Sequence, residues 1–64
     1  MAYAYIKVFC KGECVRTFGG NGNTVRMMFN RYNNMSISDF LRQHPRFEGQ
    51  HIDKDDISVM YYKR

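Results

Sequence analysis

The 64-residue sequence contains no tryptophan, one proline, two cysteines and no long apolar run. A membrane-spanning helix needs about 20 predominantly apolar residues, so we expect no span and no membrane partner. The N-terminus also lacks the basic and apolar regions of a signal peptide. Together these absences predict a cytoplasmic protein.

Acidic residues are scarce as well, because six of them stand against ten lysines and arginines and leave a net charge of +4. The positive charges are scattered rather than grouped into a basic arm. Hydrophobic residues make up 44% and charged residues 25% of the chain, which is typical of a globular protein. At this length we predict a single domain, residues 1–64. Aromatic residues, methionine and arginine, all well represented, favour either a protein interface or a stacking platform for nucleic acid.

Residues 3–9 alternate between two kinds of side chain, as expected of a β-strand. The small aliphatic set predicts a face turned to a core; it consists of Ala4, Ile6, Val8 and, one step on, Cys10. The other set is aromatic with a cation in its middle; it consists of Tyr3, Tyr5, Lys7 and Phe9. A half-buried strand normally turns plain polar residues to water, so this aromatic face needs either a partner or a cover.

Gly12 supplies the positive φ of a tight hairpin between this strand and a second strand-like run. A two-residue turn formed by Gly12 and the residue after it sets Phe9 opposite Arg16 and Lys7 opposite Phe18. A three-residue loop mixes the two faces instead, so we prefer the first register. The preferred register adds Arg16 and Phe18 to the aromatic face.

The middle of the chain predicts two short helices. Val25, Met28, Phe29 and Tyr32 recur at helical spacing, which favours a helix over 24–33 capped by Asn23 or Thr24. A strand over the same residues remains an alternative, because alternate residues there are also apolar. Ser36 and Asp39 have the spacing of a capping box, and Pro45 is expected to end this second helix near His44.

Residues 45–56 are polar and turn-like, and the chain then closes with a β-branched and aromatic strand at 57–62. In that strand Ile57, Val59 and Tyr61 share one face, while Ser58, Met60 and Tyr62 share the other. The predicted fold is therefore a small two-layer α+β domain of order β-β-α-α-β. Its three-stranded antiparallel sheet carries short helices on one face.

The aromatic side of this sheet is the candidate binding site. The predicted residues are Tyr3, Tyr5, Lys7, Phe9, Arg16, Phe18, Met60 and Tyr62. They suit contact with a host or other partner protein, or with a second copy of the chain, because exposed apolar patches mark such surfaces. They also suit DNA or RNA, with bases stacked on the rings and phosphates on Lys7 and Arg16. The remaining alternative is that residues 19–23 or 45–56 fold over this face.

Four soft ligands, Cys10, Cys14, His44 and His51, are the one set that suggests zinc. Their spacing departs from that of zinc fingers, and the predicted register places the two cysteines on opposite faces. We expect two reduced thiols, no metal and no cofactor. The sequence offers no catalytic set by spacing and little length for a substrate cleft, so we expect no enzyme.

Residues 35–42, Met-Ser-Ile-Ser-Asp-Phe-Leu-Arg, resemble the second helix of ribbon-helix-helix and plasmid-mobilisation DNA-binding proteins. The likeness covers eight residues and assigns no functional residue. In size and compactness the chain resembles the accessory proteins with which phages and other mobile elements inhibit host machinery. The expected function is a non-enzymatic modulator or inhibitor that docks on a partner protein, with direct DNA or RNA binding as the alternative.

Overall fold

A computed structural model describes residues 3–63 of the chain. The elements are β1 (Tyr3–Cys10), β2 (Glu13–Asn21), α1 (Gly22–Asn33), α2 (Ile37–Gln43) and β3 (Ile57–Lys63). The strands form an antiparallel sheet in the order β2-β1-β3. Both helices contribute to one core on a single face of this sheet, so the predicted α+β fold is confirmed.

The central strand β1 supplies the floor of the core. Its alternate side chains Ala4, Ile6, Val8 and Cys10 are almost completely buried. Because β3 pairs with β1 without any register shift, Val59 lies opposite Val8 and packs against the same core. The predicted division of β1 and β3 into two faces is thus confirmed.

The predicted turn between β1 and β2 is displaced by one residue. Lys11 and Gly12 form the turn, with φ values of 54° and 82°, and Cys10 pairs with Glu13. Positive φ at both central residues is the geometry of a type I′ turn, whose twist matches that of the flanking strands. Gly12 has the predicted positive φ, and Lys11 rather than Glu13 is the other central residue of the turn.

A β-bulge restores the strand pairing after this turn. Phe9 pairs with Cys14, whereas Val8 pairs with Arg16, so Val15 is the extra residue of β2. The predicted register of the hairpin is therefore wrong: Phe9 lies opposite Cys14 rather than Arg16, and Lys7 opposite Thr17 rather than Phe18. Val8 faces Arg16, which is the pairing that the sequence reading rejected because it mixes aliphatic and charged residues.

We expect Gly12→Ala to lower the free energy of unfolding by about 1 kcal/mol, because a Cβ is disfavoured in the left-handed region. No atom outside the turn lies within 4 Å of the position that the new Cβ takes, so the cost is conformational. Urea denaturation measures it. Lys11→Asn is the control and should cause no loss, because asparagine tolerates this conformation; equal losses in both variants would contradict the turn geometry.

Helix α1 confirms the helical alternative for residues 24–33 and begins slightly earlier than predicted. Asn21, rather than Asn23 or Thr24, caps it by accepting a hydrogen bond from the Asn23 amide at 2.9 Å. Val25 and Tyr32 are buried on its inner side. Within residues 3–63, neither this helix nor any other has the length and apolar character to cross a membrane.

Helix α2 follows the predicted start and stop signals. Ser36 accepts a hydrogen bond from the Asp39 amide at 3.2 Å, and the helix ends before Pro45, with His44 as its C-cap. The Asp39 carboxylate lies 3.7 Å from Arg42, one turn along the helix surface. Phe40 is the buried residue of this helix.

The segment from residue 45 to 56 is part of the core, which its polar composition did not predict. It contains two short 3-10 turns, Pro45–Phe47 and Lys54–Asp56. Phe47 packs against Phe40 with ring centroids 6.1 Å apart, and Ile52 is also buried. The segment thereby closes the helical side of a core that two short helices alone leave incomplete.

We expect Phe47→Ala to leave the chain largely unfolded. Truncating a buried phenylalanine costs about 3–5 kcal/mol, which equals the stability that the core of so small a domain supplies. Far-ultraviolet circular dichroism and urea denaturation test this. Met27→Ala is the matched control, since Met27 is 72% exposed on α1 and its truncation should change stability little. A folded Phe47→Ala variant of near wild-type stability would show that the 45–56 segment is dispensable.

Candidate functional site

Six of the eight predicted site residues share the sheet face turned away from the helices. This open face consists of Tyr3, Tyr5, Lys7, Phe9, Met60 and Tyr62. Tyr3 is 49% and Met60 is 47% exposed, and the other four are half-buried against their neighbours. Residues 19–23 belong to β2 and α1, and the 45–56 segment packs on the helical side, so neither covers the open face.

A tyrosine stack occupies the middle of the open face. Tyr5 lies directly opposite Tyr62, and their rings stack with centroids 4.9 Å apart and an interplanar angle of 14°. The Lys7 Nζ lies over the Tyr62 ring, 5.8 Å from its centroid, at the distance of a cation–π contact. The stack restricts the rotamers of two large side chains in the isolated chain.

Gly19 in β2 makes room for Tyr3 at one end of this stack. An added Cβ at Gly19 would collide with the Tyr3 hydroxyl, so a larger residue there would displace the Tyr3 ring from this position. Tyr3 in turn lies 6.5 Å from Tyr5, measured between ring centroids. Three tyrosines thus form a continuous row across β1 and β3, held on the β2 side by a glycine.

Arg16 and Phe18 lie on the helical side, so their predicted place on the open face is wrong. The bulge in β2 sets Arg16 opposite Val8 and Phe18 opposite Ile6, and both of those partners are core residues. Phe18 packs against the core. In their place the bulge turns Thr17, opposite Lys7, to the open face.

Arg16 belongs instead to a hydrogen-bond network that is partly exposed at Arg16 and buried at Tyr32 and His44. Its Nη1 donates to the Tyr32 hydroxyl at 3.0 Å, and that hydroxyl lies 3.2 Å from Nε2 of His44. Because the phenol oxygen accepts from Arg16, its own proton is free to donate to an unprotonated His44. Burial holds the pKa of His44 below its ordinary value, and the Arg16 and Arg46 guanidiniums lower it further. The lowered pKa favours the neutral form of His44 in this network.

Stability should fall as the pH drops below about 6.5, the pKa of histidine in an unfolded chain. Between that value and the lowered folded pKa of His44, the unfolded chain binds more protons, so the free energy of unfolding rises with pH. Urea denaturation at a series of pH values measures the slope. His44→Phe should remove this part of the slope, whereas His51→Asn, at an exposed position, should retain it. Identical pH profiles for His44→Phe and wild type would contradict the role of His44.

The four candidate zinc ligands do not come together. Cys10 is buried on the helical side, where burial raises the pKa of its thiol, and Cys14 is exposed on the other side of the sheet. His44 is bonded within the core, and His51 lies at the surface, 3.1 Å from Asp53. Within residues 3–63, no three metal-ligating side chains form a cluster.

The sequence reading did not identify a groove between α1 and α2. This open groove has a volume of about 740 Å³ and contains Met27, Met28 and Met35, with Arg31 and Arg42 among its polar residues. Met27 lies outside the apolar stripe of α1, and an apolar residue at that position is the one feature of the sequence that could have indicated an exposed apolar surface between the helices. The groove is a second exposed surface, in addition to the open face.

The fold and the open face define a class: a small α+β domain with an aromatic sheet face turned to solvent. Comparison with protein-family models, with curated proteins and with solved structures finds no match for this chain. Functional argument therefore rests on the residues themselves.

Proposed function

We propose that this protein is a non-enzymatic binding module that docks on a partner protein through its open face and thereby modulates or inhibits that partner. The tyrosine row Tyr3-Tyr5-Tyr62 carries the proposal. Its rings are large, partly pre-ordered and accessible, and tyrosine is among the residues that dominate measured interface energies. Met60 and Phe9 extend the row into an apolar patch of the kind that marks interaction sites.

The charge distribution favours a protein over a nucleic acid as the partner. Of the six residues that form the open face, Lys7 alone is cationic, since Arg16 bonds to Tyr32 on the helical side. Nucleic-acid affinity depends on several phosphate contacts. Base stacking also needs free ring faces, and the Tyr5–Tyr62 stack occupies one face of each ring. We therefore place DNA or RNA binding second.

Inhibition by such a module requires no chemistry. A patch of rigid aromatic side chains with one central cation occupies a surface of the partner and excludes other ligands from it. Lys7 orients the partner on this face, because its ammonium group lies over the Tyr62 ring and favours an acidic group on the partner. The partner is expected to offer an apolar surface with a carboxylate near its centre.

Tyr5→Ala and Tyr62→Ala should each lower recovery of the partner at least about tenfold, as expected for hot-spot tyrosines. The immobilised protein is exposed to a candidate host lysate, and bound proteins are quantified by mass spectrometry. Arg26→Ala is the matched control, since Arg26 is exposed on α1, on the other side of the molecule. Circular dichroism establishes that each variant is folded.

Two outcomes would contradict the proposal. Equal recovery of the same partner by wild type and both tyrosine variants removes the open face from the interaction. Tight binding of single- or double-stranded oligonucleotides in fluorescence anisotropy, weakening steeply with salt and lost in Tyr5→Ala, assigns the face to nucleic acid instead.

A further inference from the structure

The two edges of the sheet are built differently. The β2 edge is interrupted by the bulge at Val15 and by Gly20, whose φ is 153°. Bulges twist an edge away from further pairing, and proteins use them to protect exposed strands. The β3 edge pairs with β1 over seven residues without a register shift.

The β3 edge also lacks the other protective devices. Residues 57–62 contain no proline and no charge, and Lys63 is the one charged residue of the strand. Within the described residues 3–63, β3 pairs with β1 alone, which leaves the outward N–H and C=O groups of the strand without strand partners. None of its seven residues is buried, and Tyr61 on the helical side remains 37% exposed although its ring meets Phe29 of α1 edge-on, with centroids 5.6 Å apart.

We propose that two copies of this chain join through antiparallel pairing of their β3 strands into one six-stranded sheet. The proposal rests on the edge and its charges, independently of the docking partner. An edge strand of this kind is a template for pairing with another chain, and antiparallel pairing of identical strands closes as a twofold dimer.

The side-chain pattern selects one register. Pairing Met60 with Met60 of the second copy aligns all seven residues and keeps both helical layers on the same side of the joined sheet. Val59 then lies opposite Tyr61 of the second copy, and an aromatic residue beside a β-branched one is a favourable cross-strand pair. Met60 and Tyr61, both notably exposed in the single chain, become covered.

Charge complementarity favours the antiparallel direction. Each β3 begins directly after the acidic turn Lys54–Asp56, which contains Asp55 and Asp56, and ends at Lys63. Antiparallel pairing sets Lys63 of each copy beside the acidic turn of the other. Parallel pairing brings the two acidic turns together and the two lysines together, which is repulsive.

Dimerisation changes the surface available for docking. The two open faces become one continuous face, with Met60 and Tyr62 of both copies at its centre. Such a face presents two tyrosine rows related by the twofold axis, and it fits a partner that is itself symmetric or that repeats its docking surface.

Sedimentation velocity of the wild-type protein over a range of concentrations tests the proposal. The mass should rise from the monomer value of 7.7 kDa to twice that value. Met60→Lys places like charges opposite each other on the twofold axis and should hold the protein at the monomer mass. Thr17→Lys adds the same charge to the same face on the β2 edge and should leave the dimer intact.

An engineered disulfide gives a second, independent measurement. Directly opposed residues of an antiparallel pair have Cα atoms about 4.5–5.5 Å apart, within the range that a disulfide spans. In a Cys14→Ser background, Met60→Cys should form a covalent dimer under mild oxidation, while Thr17→Cys should not.

A wild-type protein that remains monomeric to millimolar concentration would overturn the proposal. A dimer broken by Thr17→Lys and unaffected by Met60→Lys would overturn it too, because it assigns the interface to the β2 edge. Neither result bears on the proposed docking on a partner protein. That proposal is tested separately by Tyr5→Ala, because Tyr5 lies on the central strand and not at either edge.

Discussion

The bulge at Val15 is the constraint on which the rest of the structure depends. A strand pair without it would turn Arg16 and Phe18 to the open face and Thr17 into the core. The extra residue reverses that assignment for the whole of β2 beyond the turn, because side chains alternate with a period of two. The bulge thus sends one arginine into the hydrogen-bond network and leaves the open face mainly aromatic.

The hydrogen-bond network shows how the small core accepts this arginine. Arg16, Tyr32 and His44 come from β2, from α1 and from the end of α2, and their hydrogen bonds connect three elements at one place. Within the described residues, no buried side-chain nitrogen or oxygen lacks a hydrogen-bond partner. The Arg16 guanidinium is half-buried, and its hydrogen bond to Tyr32 replaces part of its contact with water.

The two sides of the sheet use their apolar side chains differently. The apolar side chains on the helical side form the core, which Phe47 and Ile52 from the 45–56 segment complete. The other side keeps Tyr3, Tyr5 and Tyr62 in a row that packs against itself rather than against a second layer. This ordered aromatic face is the surface on which the docking proposed above rests.

Local patterns in the sequence determined the two faces of β1, the helical stripe of α1 and the Ser36 cap of α2, because each depends on residues close together in the chain. They also determined six residues of the open face. The tertiary structure alone decided the position of the bulge, and with it the side taken by Arg16 and Phe18. It also decided the burial of Phe47 and Ile52 within a polar segment. These features depend on contacts between residues that are distant in the sequence. Arg16 on the helical side, for example, is stabilised by its hydrogen bond to Tyr32, which in turn bonds to His44.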